Sequence, residues 1–421
     1  MEVSDTRRGI DAVWRIESAR LTAGLARVTR DLGLAEDFAQ DALVAALEQW
    51  PAQGVPDNPG AWLMSVGRRR AVDHFRRQET LVRKQVELGH DLASRPAPGK
   101  SEFEAVEEDI EDDLLRLVFT SCHPVLSSEA RAALTLRVLG GLTTEEIARA
   151  FLVPESTVAQ RIVRAKKRLS RADVGFEVPA PADFADRLGS VLEVVYLVFN
   201  EGYAATAGED WLRPELCHEA LRLGRILAGL LPREPEVHGL VALMEIQASR
   251  SRARVGPAGE PVLLLDQNRG RWDWAQIGRG LAALERAESL TDSRGPYAVQ
   301  AAIAACHARA RTADATDWVR IASLYTDLAA LTGSPVVELN RAVAVSMAEG
   351  PEAGLRVLEP LAAEPSLRGY HLLPSARGDL LERLGRVGEA RAEFERAAGM
   401  TRNERERGVL LARAAGLPLQ A

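Results

Sequence analysis

Arginines and lysines gathered on helical faces are the residues of this sequence with the most chemistry to offer. In NPGAWLMSVGRRRAVDHFRR, one helix over Ala61 to Arg77 puts Arg69, Arg70, Asp73, Arg76 and Arg77 on one side and Leu63, Gly67, Ala71, Val72 and Phe75 on the other. A row of guanidinium groups of this kind can hold a phosphate backbone, and an acid among them orients a guanidinium or relieves repulsion. Trp62, at the start of the helix, reads more readily as packing than as a base-stacking residue.

A second basic face lies in LTTEEIARAFLVPESTVAQRIVRAKKRL. Thr143 followed by Glu146 is a capping box that starts one helix, whose inward face is Ile147, Ala148 and Phe151. Pro154 suits the first turn of the next helix, where Val158, Ile162, Ala165 and Leu169 form an apolar stripe. Thr157, Gln160, Arg161, Arg164 and Arg168 are left on the opposite side. Two short helices with a tight turn, the second basic and exposed, make a helix-turn-helix whose second helix can enter a major groove. The competing reading is a helical hairpin with a solvated charged face. Upstream, LAEDFAQDALVAALEQW offers Phe38, Ala42, Leu43, Ala46 and Leu47 for burial and leaves Asp37, Gln40 and Asp41 together at i, i+3 and i+4.

Catalytic and metal chemistry find no comparable support. Cys122, Cys217 and Cys306 are odd in number and far apart, and the seven histidines form no paired-ligand motif. Neither a catalytic residue, a metal site nor a cofactor is expected. No apolar run has the length of a membrane span or the form of a signal peptide, so the expectation is a soluble, cytoplasmic chain with reduced thiols.

The net charge of −7 argues against nucleic acid only until it is mapped. Residues 68–84 carry seven Lys/Arg against two acids, and 154–171 carry six against one, whereas 102–113 carry eight acids and no base. With 421 residues, 46% hydrophobic and only 5% aromatic, the chain is expected to be all-α and built from several cored domains. The pattern predicts a helical module over 10–78, broken at Gly33 and around Trp50 to Pro59, then a flexible acidic linker over 79–113. A helix-turn-helix module over 114–171, a helical extension over 183–290 and helical repeats over 291–421 follow. An ending after Gly175 is expected to leave a folded, DNA-binding fragment.

Together the three motifs resemble the two-domain extracytoplasmic-function group of the sigma-70 family, over about residues 10–171. AEDFAQDALVAAL looks like region 2.2, NPGAWLMSVGRRRAVDHFRR like regions 2.3 and 2.4, and TTEEIARAFLVPESTVAQRIVRAKKRL like region 4. The resemblance implies that Asp37, Gln40 and Asp41 contact the clamp helices of core RNA polymerase. It places Arg69, Arg70, Asp73, Arg76 and Arg77 against the promoter −10 element, and Thr157, Gln160, Arg161, Arg164 and Lys167 in the −35 major groove. Family members catalyse no reaction; they position the polymerase and help to melt the promoter. AQRIVRA stands where the family often has KSRLHRA, so promoter sequence does not carry over.

The rest resembles the extension of a sigma-factor subgroup that ends in TPR-like repeats. Gly378, Leu381, Ala390, Phe394 and Ala397 fall at TPR packing positions, and Ala342, Val345, Gly354 and Leu358 make a poorer copy. Neither copy has the closing proline, so a divergent α-solenoid is expected, with a surface for a regulatory protein. Asn200, Glu201, Tyr203, Asp266, Arg269, Arg271, Trp272 and Asp273 are polar and aromatic clusters that could line a pocket, though helix capping and salt bridges account for them more simply. The rival to a sigma factor is an operator-binding helix-turn-helix regulator with a TPR-like sensing domain, which needs one DNA-facing module rather than two.

Overall fold

Straight-chain residues and alanine dominate the sequence, and the computed structural model is helical almost throughout. It describes residues 3–87, 110–151, 153–204, 212–257 and 260–417. Among these there is no strand, only an isolated bridge between Val255 and Pro261. The residues fall into two compact units, Met1–Val195 and Tyr196–Ala421.

The first unit opens with α1 (Val3–Thr29), α2 (Leu32–Gln53) and α3 (Pro59–Glu87). Leu21, Leu25, Phe38, Ala42, Trp50 and Leu63 form its core. Gly67 lets α3 approach α1 closely, since a Cβ there would stand 2.9 Å from Leu25 Cδ1. Trp62 packs edge-on against Trp50 at 5.3 Å. Two helix boundaries differ from expectation. The first break falls at Arg30, in the left-handed region at φ 51°, and Asp31 then caps α2 through Leu34 N, so Gly33 lies inside the helix. Pro51 also lies inside α2, which ends at Gly54 (φ 83°). A proline in the final turn forfeits one helical hydrogen bond without stopping the helix. Leu47 and Val72, expected to be buried, are each 41% exposed.

Both ends of the segment expected to be a linker, 79–113, are helical. α3 continues to Glu87 and α4 (Ile110–Ser121) begins before residue 114, while residues 88–109 lie outside the described set. Asp113, assigned to the tether by its charge, is buried beside Arg27 (3.2 Å) and Arg116 (2.6 Å). Paired in this way, the acid closes a core rather than extending a linker.

α5 (Ser128–Val138), α6 (Thr144–Phe151) and α7 (Glu155–Arg171) complete the helix-turn-helix part. Thr143 N donates to Glu146 Oε2 and Glu146 N to Thr143 Oγ1, the reciprocal cap that the spacing predicts. Val158, Ile162, Ala165 and Leu169 are buried as expected. α8 (Phe184–Tyr203) crosses the boundary between the two units. Its N-terminal half belongs to the first: Phe184 packs on Phe119, Arg187 donates to Phe119 O (2.8 Å), and Ser190 donates to Cys122 O (2.7 Å). Arg131, buried, donates to Ser190 Oγ and pairs with Glu193 at 3.0 Å.

The second unit continues with α9 (Pro214–Leu230), α10 (Pro235–Ala248), α11 (Trp274–Leu290), α12 (Pro296–Arg309), α13 (Trp318–Thr332), α14 (Pro335–Glu349), α15 (Pro351–Leu358), α16 (Leu372–Arg383), α17 (Val387–Met400) and α18 (Glu404–Gly416). Most of these helices pack chiefly on those next to them in sequence, as in an α-solenoid, although α12 packs most on α10. Leu381, Ala390, Phe394 and Ala397 are buried together, and a Cβ at Gly378 would stand 2.9 Å from the Phe394 ring. Ala342, Val345, Gly354 and Leu358 are buried as well.

A chain ended after Gly175 therefore loses Phe184, Arg187 and Ser190 from the first unit. We expect it to unfold at lower urea than a chain ended after Tyr203, by on the order of several kcal/mol for the lost apolar burial and hydrogen bonds. Equal midpoints and slopes in the two chains would show that α8 contributes nothing to that core.

Candidate nucleic-acid interface

Two helix faces carry the expected basic residues. On α3 the side chains of Arg69, Arg70, Arg76 and Arg77 are exposed and Asp73 is half-buried, while Leu63 and Ala71 anchor the opposite side in the core. On α7, Gln160, Arg164 and Lys167 are exposed and Thr157 and Arg161 half-buried. Arg168, which the helical spacing places with them, turns back and donates to Val125 O at 2.7 Å. That bond holds the base of α7 against the turn before α5.

The polar face of α2 stands next to α3. Asp37 and Asp41 are exposed and Gln40 half-buried. Arg70 Nε lies 4.0 Å from Asp41 Oδ2, both more than half exposed, so this pair contributes little in water. His74 contacts Phe38 edge-on at 5.5 Å and fixes the crossing of the two helices. Among the described residues no hydrogen bond or ion pair joins the five α3 positions to the five on α7. The structure brings one acid of the α2 set beside one arginine of the α3 set.

What spacing missed is the charge that ties these parts together. Glu36, 5% exposed, accepts from Arg137 Nε at 2.6 Å and is ion-paired with Lys166. Arg137 also donates to Leu142 O at 3.2 Å, which links α5 to the turn before α6. Lys166 Nζ is 3.9 Å from Asp37 as well. One carboxylate of α2 therefore holds both α5 and α7. A signal was present: Glu36 falls on the buried stripe of Leu32, Ala35 and Ala39, where an acid demands a partner. Burial alone would raise the Glu36 pKa, but Lys166 and Arg137 outweigh it and hold the carboxyl below its ordinary 4.5.

No group of three or more His, Cys, Asp or Glu among the described residues could hold a metal ion. No described helix is long and apolar enough to cross a membrane. The polar clusters of the extension divide. Asp273 caps α11 through Gln276 N and Glu201 pairs with Arg213, whereas Arg269 and Trp272 are buried.

Comparison with known proteins follows this division of the chain. Residues 16–80 match the family described as Sigma-70 region 2, residues 116–169 match Sigma-70, region 4, and residues 187–288 match a family of unknown function, DUF6596. An uncharacterised protein of Rhizobium meliloti (strain 1021) is 46% identical over 385 residues, covering 91% of this chain and 89% of that protein. The probable ECF RNA polymerase sigma factor SigI of Mycobacterium tuberculosis (strain H37Rv) is 26% identical over 171 residues, 40% of this chain and 57% of its own length. The ECF RNA polymerase sigma factor SigK of Mycobacterium sp. (strain KMS) is 29% identical over 148 residues, 34% of this chain and 72% of its own length. No solved structure matches the chain.

The Glu36 pairing yields a pH test. Its native pKa lies below the unfolded value, so its contribution to stability is complete above the unfolded pKa and is lost as pH falls through the native one. Glu36→Gln should cost about 3–5 kcal/mol at pH 7, because Arg137 and Lys166 lose their common partner. The gap from wild type should close on acidification below pH 4.5. Urea unfolding across that range measures it; a gap that does not change with pH would show that the carboxylate charge is not what matters.

Proposed function

Since the chain belongs to the extracytoplasmic-function branch of the sigma-70 family, with a helical C-terminal extension, we propose how its faces divide the work of promoter-specific initiation. The α2 face of Asp37, Gln40 and Asp41 binds core RNA polymerase. Arg69, Arg70, Asp73, Arg76 and Arg77 on α3 lie against the −10 element. Thr157, Gln160, Arg161, Arg164 and Lys167 on α7 lie in the −35 major groove. The observation that carries this reading is that two basic helix faces are each anchored by their own buried stripe. An operator-binding regulator needs only one such face and, usually, a dimer seam.

The chemistry differs between the two DNA faces. Exposed arginines along α3 suit phosphate contacts, which position a duplex without reading it. Arg161 sits half-buried near the start of α7, beside Thr157 and Gln160, where side chains can reach base edges. The chain itself performs no catalytic step in this reading. It works in the cytoplasm with the polymerase, and the extension, which offers a broad solenoid surface, contacts the assembly or a regulatory protein.

Run-off transcription with purified core polymerase and a genomic promoter pool tests the reading as a whole. Transcripts that depend on this chain are expected; stable operator binding without core and no transcripts with it would favour the regulator. Within an active complex, Gln40→Ala with Asp41→Ala should weaken core binding while the circular dichroism spectrum stays unchanged. Arg161→Ala should cost about 1–3 kcal/mol and alter sequence preference at the upstream element. Arg76→Ala should weaken binding evenly across sequences. Equal effects of the two arginines on every sequence would make Arg161 a backbone contact.

A further inference from the structure

Buried charges in this protein are mostly matched. Glu36 faces Arg137 and Lys166, Asp113 faces Arg27 and Arg116, Arg131 faces Glu193, and Glu245 faces Arg225 and Arg279. Arg250 and Arg269, each only 7% exposed, depart from this pattern. Both belong to the second unit, at the start and near the end of the irregular segment between α10 and α11. Arg250 Nη2 donates to Tyr203 Oη at 2.8 Å and to Gln247 Oε1, and its Nε is buried with no acceptor. Arg269 donates to His307 O at 2.5 Å, to Ala310 O at 2.6 Å and to Thr316 Oγ1 at 3.4 Å. None of these acceptors is charged.

The surroundings of Arg250 are rich in donors and rings. Its guanidinium carbon lies 6.0 Å from the centre of the Tyr203 ring and 5.9 Å from that of Trp272, and Arg269 lies 4.7 Å from the same indole. Arg254 stacks on the other aromatic group, 3.6 Å from the Tyr203 centroid. Trp272 Nε1 and His307 Nδ1 are buried and have no hydrogen-bond partner. Burial, and after it Arg250 and Arg269, push the pKa of His307 down to about 4, and burial, and after it Arg250, lowers that of Arg269. His307 is thus neutral at pH 7 and adds no charge of its own.

An arginine and an indole can only donate, so what completes Arg250 Nε and Trp272 Nε1 must accept. A buried cation without a counter-charge costs several kcal/mol, and a ligand carrying negative charge removes that cost as it binds. Aromatic faces complement the guanidinium groups but cannot accept from Arg250 Nε and Trp272 Nε1 in place of an oxyanion. We propose that Arg250 and Trp272, with unpartnered Nε and Nε1 donors and a guanidinium carbon 5.9 Å from the ring centre, form with Arg269 a binding site in the extension for a small oxyanion, a carboxylate or a phosphate. The site makes the extension a receptor for a charged small molecule, which goes beyond its part in the polymerase assembly.

The full-length chain should be titrated with sodium phosphate and, separately, sodium succinate, following melting temperature and heat of binding against sodium chloride of equal ionic strength. A saturable rise of a few degrees with either probe but not with chloride is expected, and the stronger probe identifies the headgroup. Arg250→Gln should abolish the rise. It should also melt no lower than wild type in anion-free buffer, because it removes an unmatched buried charge. Trp272→Phe keeps the packing and loses one donor, so it should bind the effective probe at least ten-fold more weakly, which tests the site even if Arg250→Gln does not fold. Overturning results are a wild-type melt that follows ionic strength alone, or a variant that responds to the probes as wild type does.

Discussion

A carboxylate removed from water must find positive charge close by, and the first unit is arranged around one such demand. Glu36 lies on the buried stripe of α2 and is met from α5 by Arg137 and from α7 by Lys166. Arg137 reaches onward to Leu142 O, at the turn that introduces α6. The helix-turn-helix is thus oriented on the α1–α3 bundle by a directional polar contact, not by apolar burial alone. Apolar contacts specify proximity, whereas a buried ion pair also specifies register, because sliding either helix by one turn would strand three charges. Asp113 does the same between α1 and α4.

The second organising feature is the division of α8 between two cores. Its first turns complete the helix-turn-helix part through Phe184, Arg187 and Ser190. Its last turns belong to the extension, where Cys217 Sγ lies 3.7 Å from Phe199 O and Phe199 stacks with Tyr203. The match to DUF6596 begins at residue 187, inside this helix. The expected start of the extension at residue 183 falls before the first unit, which runs to Val195, is complete.

Much of this architecture was legible in the sequence where local rules decide it. The Thr143 and Glu146 cap, the stripe of Val158, Ile162, Ala165 and Leu169, and the exposure of Arg69, Arg76 and Arg164 all follow from helical periodicity and one capping motif. The TPR-like positions Gly378 and Phe394 were legible for a similar reason, since a small residue opposite a large one is a packing statement. What stayed hidden depends on partners distant in sequence. Glu36 and Arg137 are 101 residues apart, and Arg131 and Ser190 are 59 apart. Asp113 looked like part of an acidic run because a charge pattern does not reveal which acid turns inward. Arg269 and Trp272 were visible as a polar and aromatic cluster, but only the folded segment shows that the arginine meets carbonyls and an indole face instead of a carboxylate.

The arrangement around Glu36 also bears on any partner that needs α2 and α7 apart. Asp37 belongs to the α2 face and at the same time stands 3.9 Å from Lys166, the neighbour of Lys167 on α7. A partner that needs α2 and α7 apart meets only the fraction of molecules in which the pairing has opened, and its apparent affinity is reduced by that fraction. Each tenfold change in the open population corresponds to about 1.4 kcal/mol. For such a partner, conditions that loosen the carboxylate cluster raise the share of open chain with no new contact made.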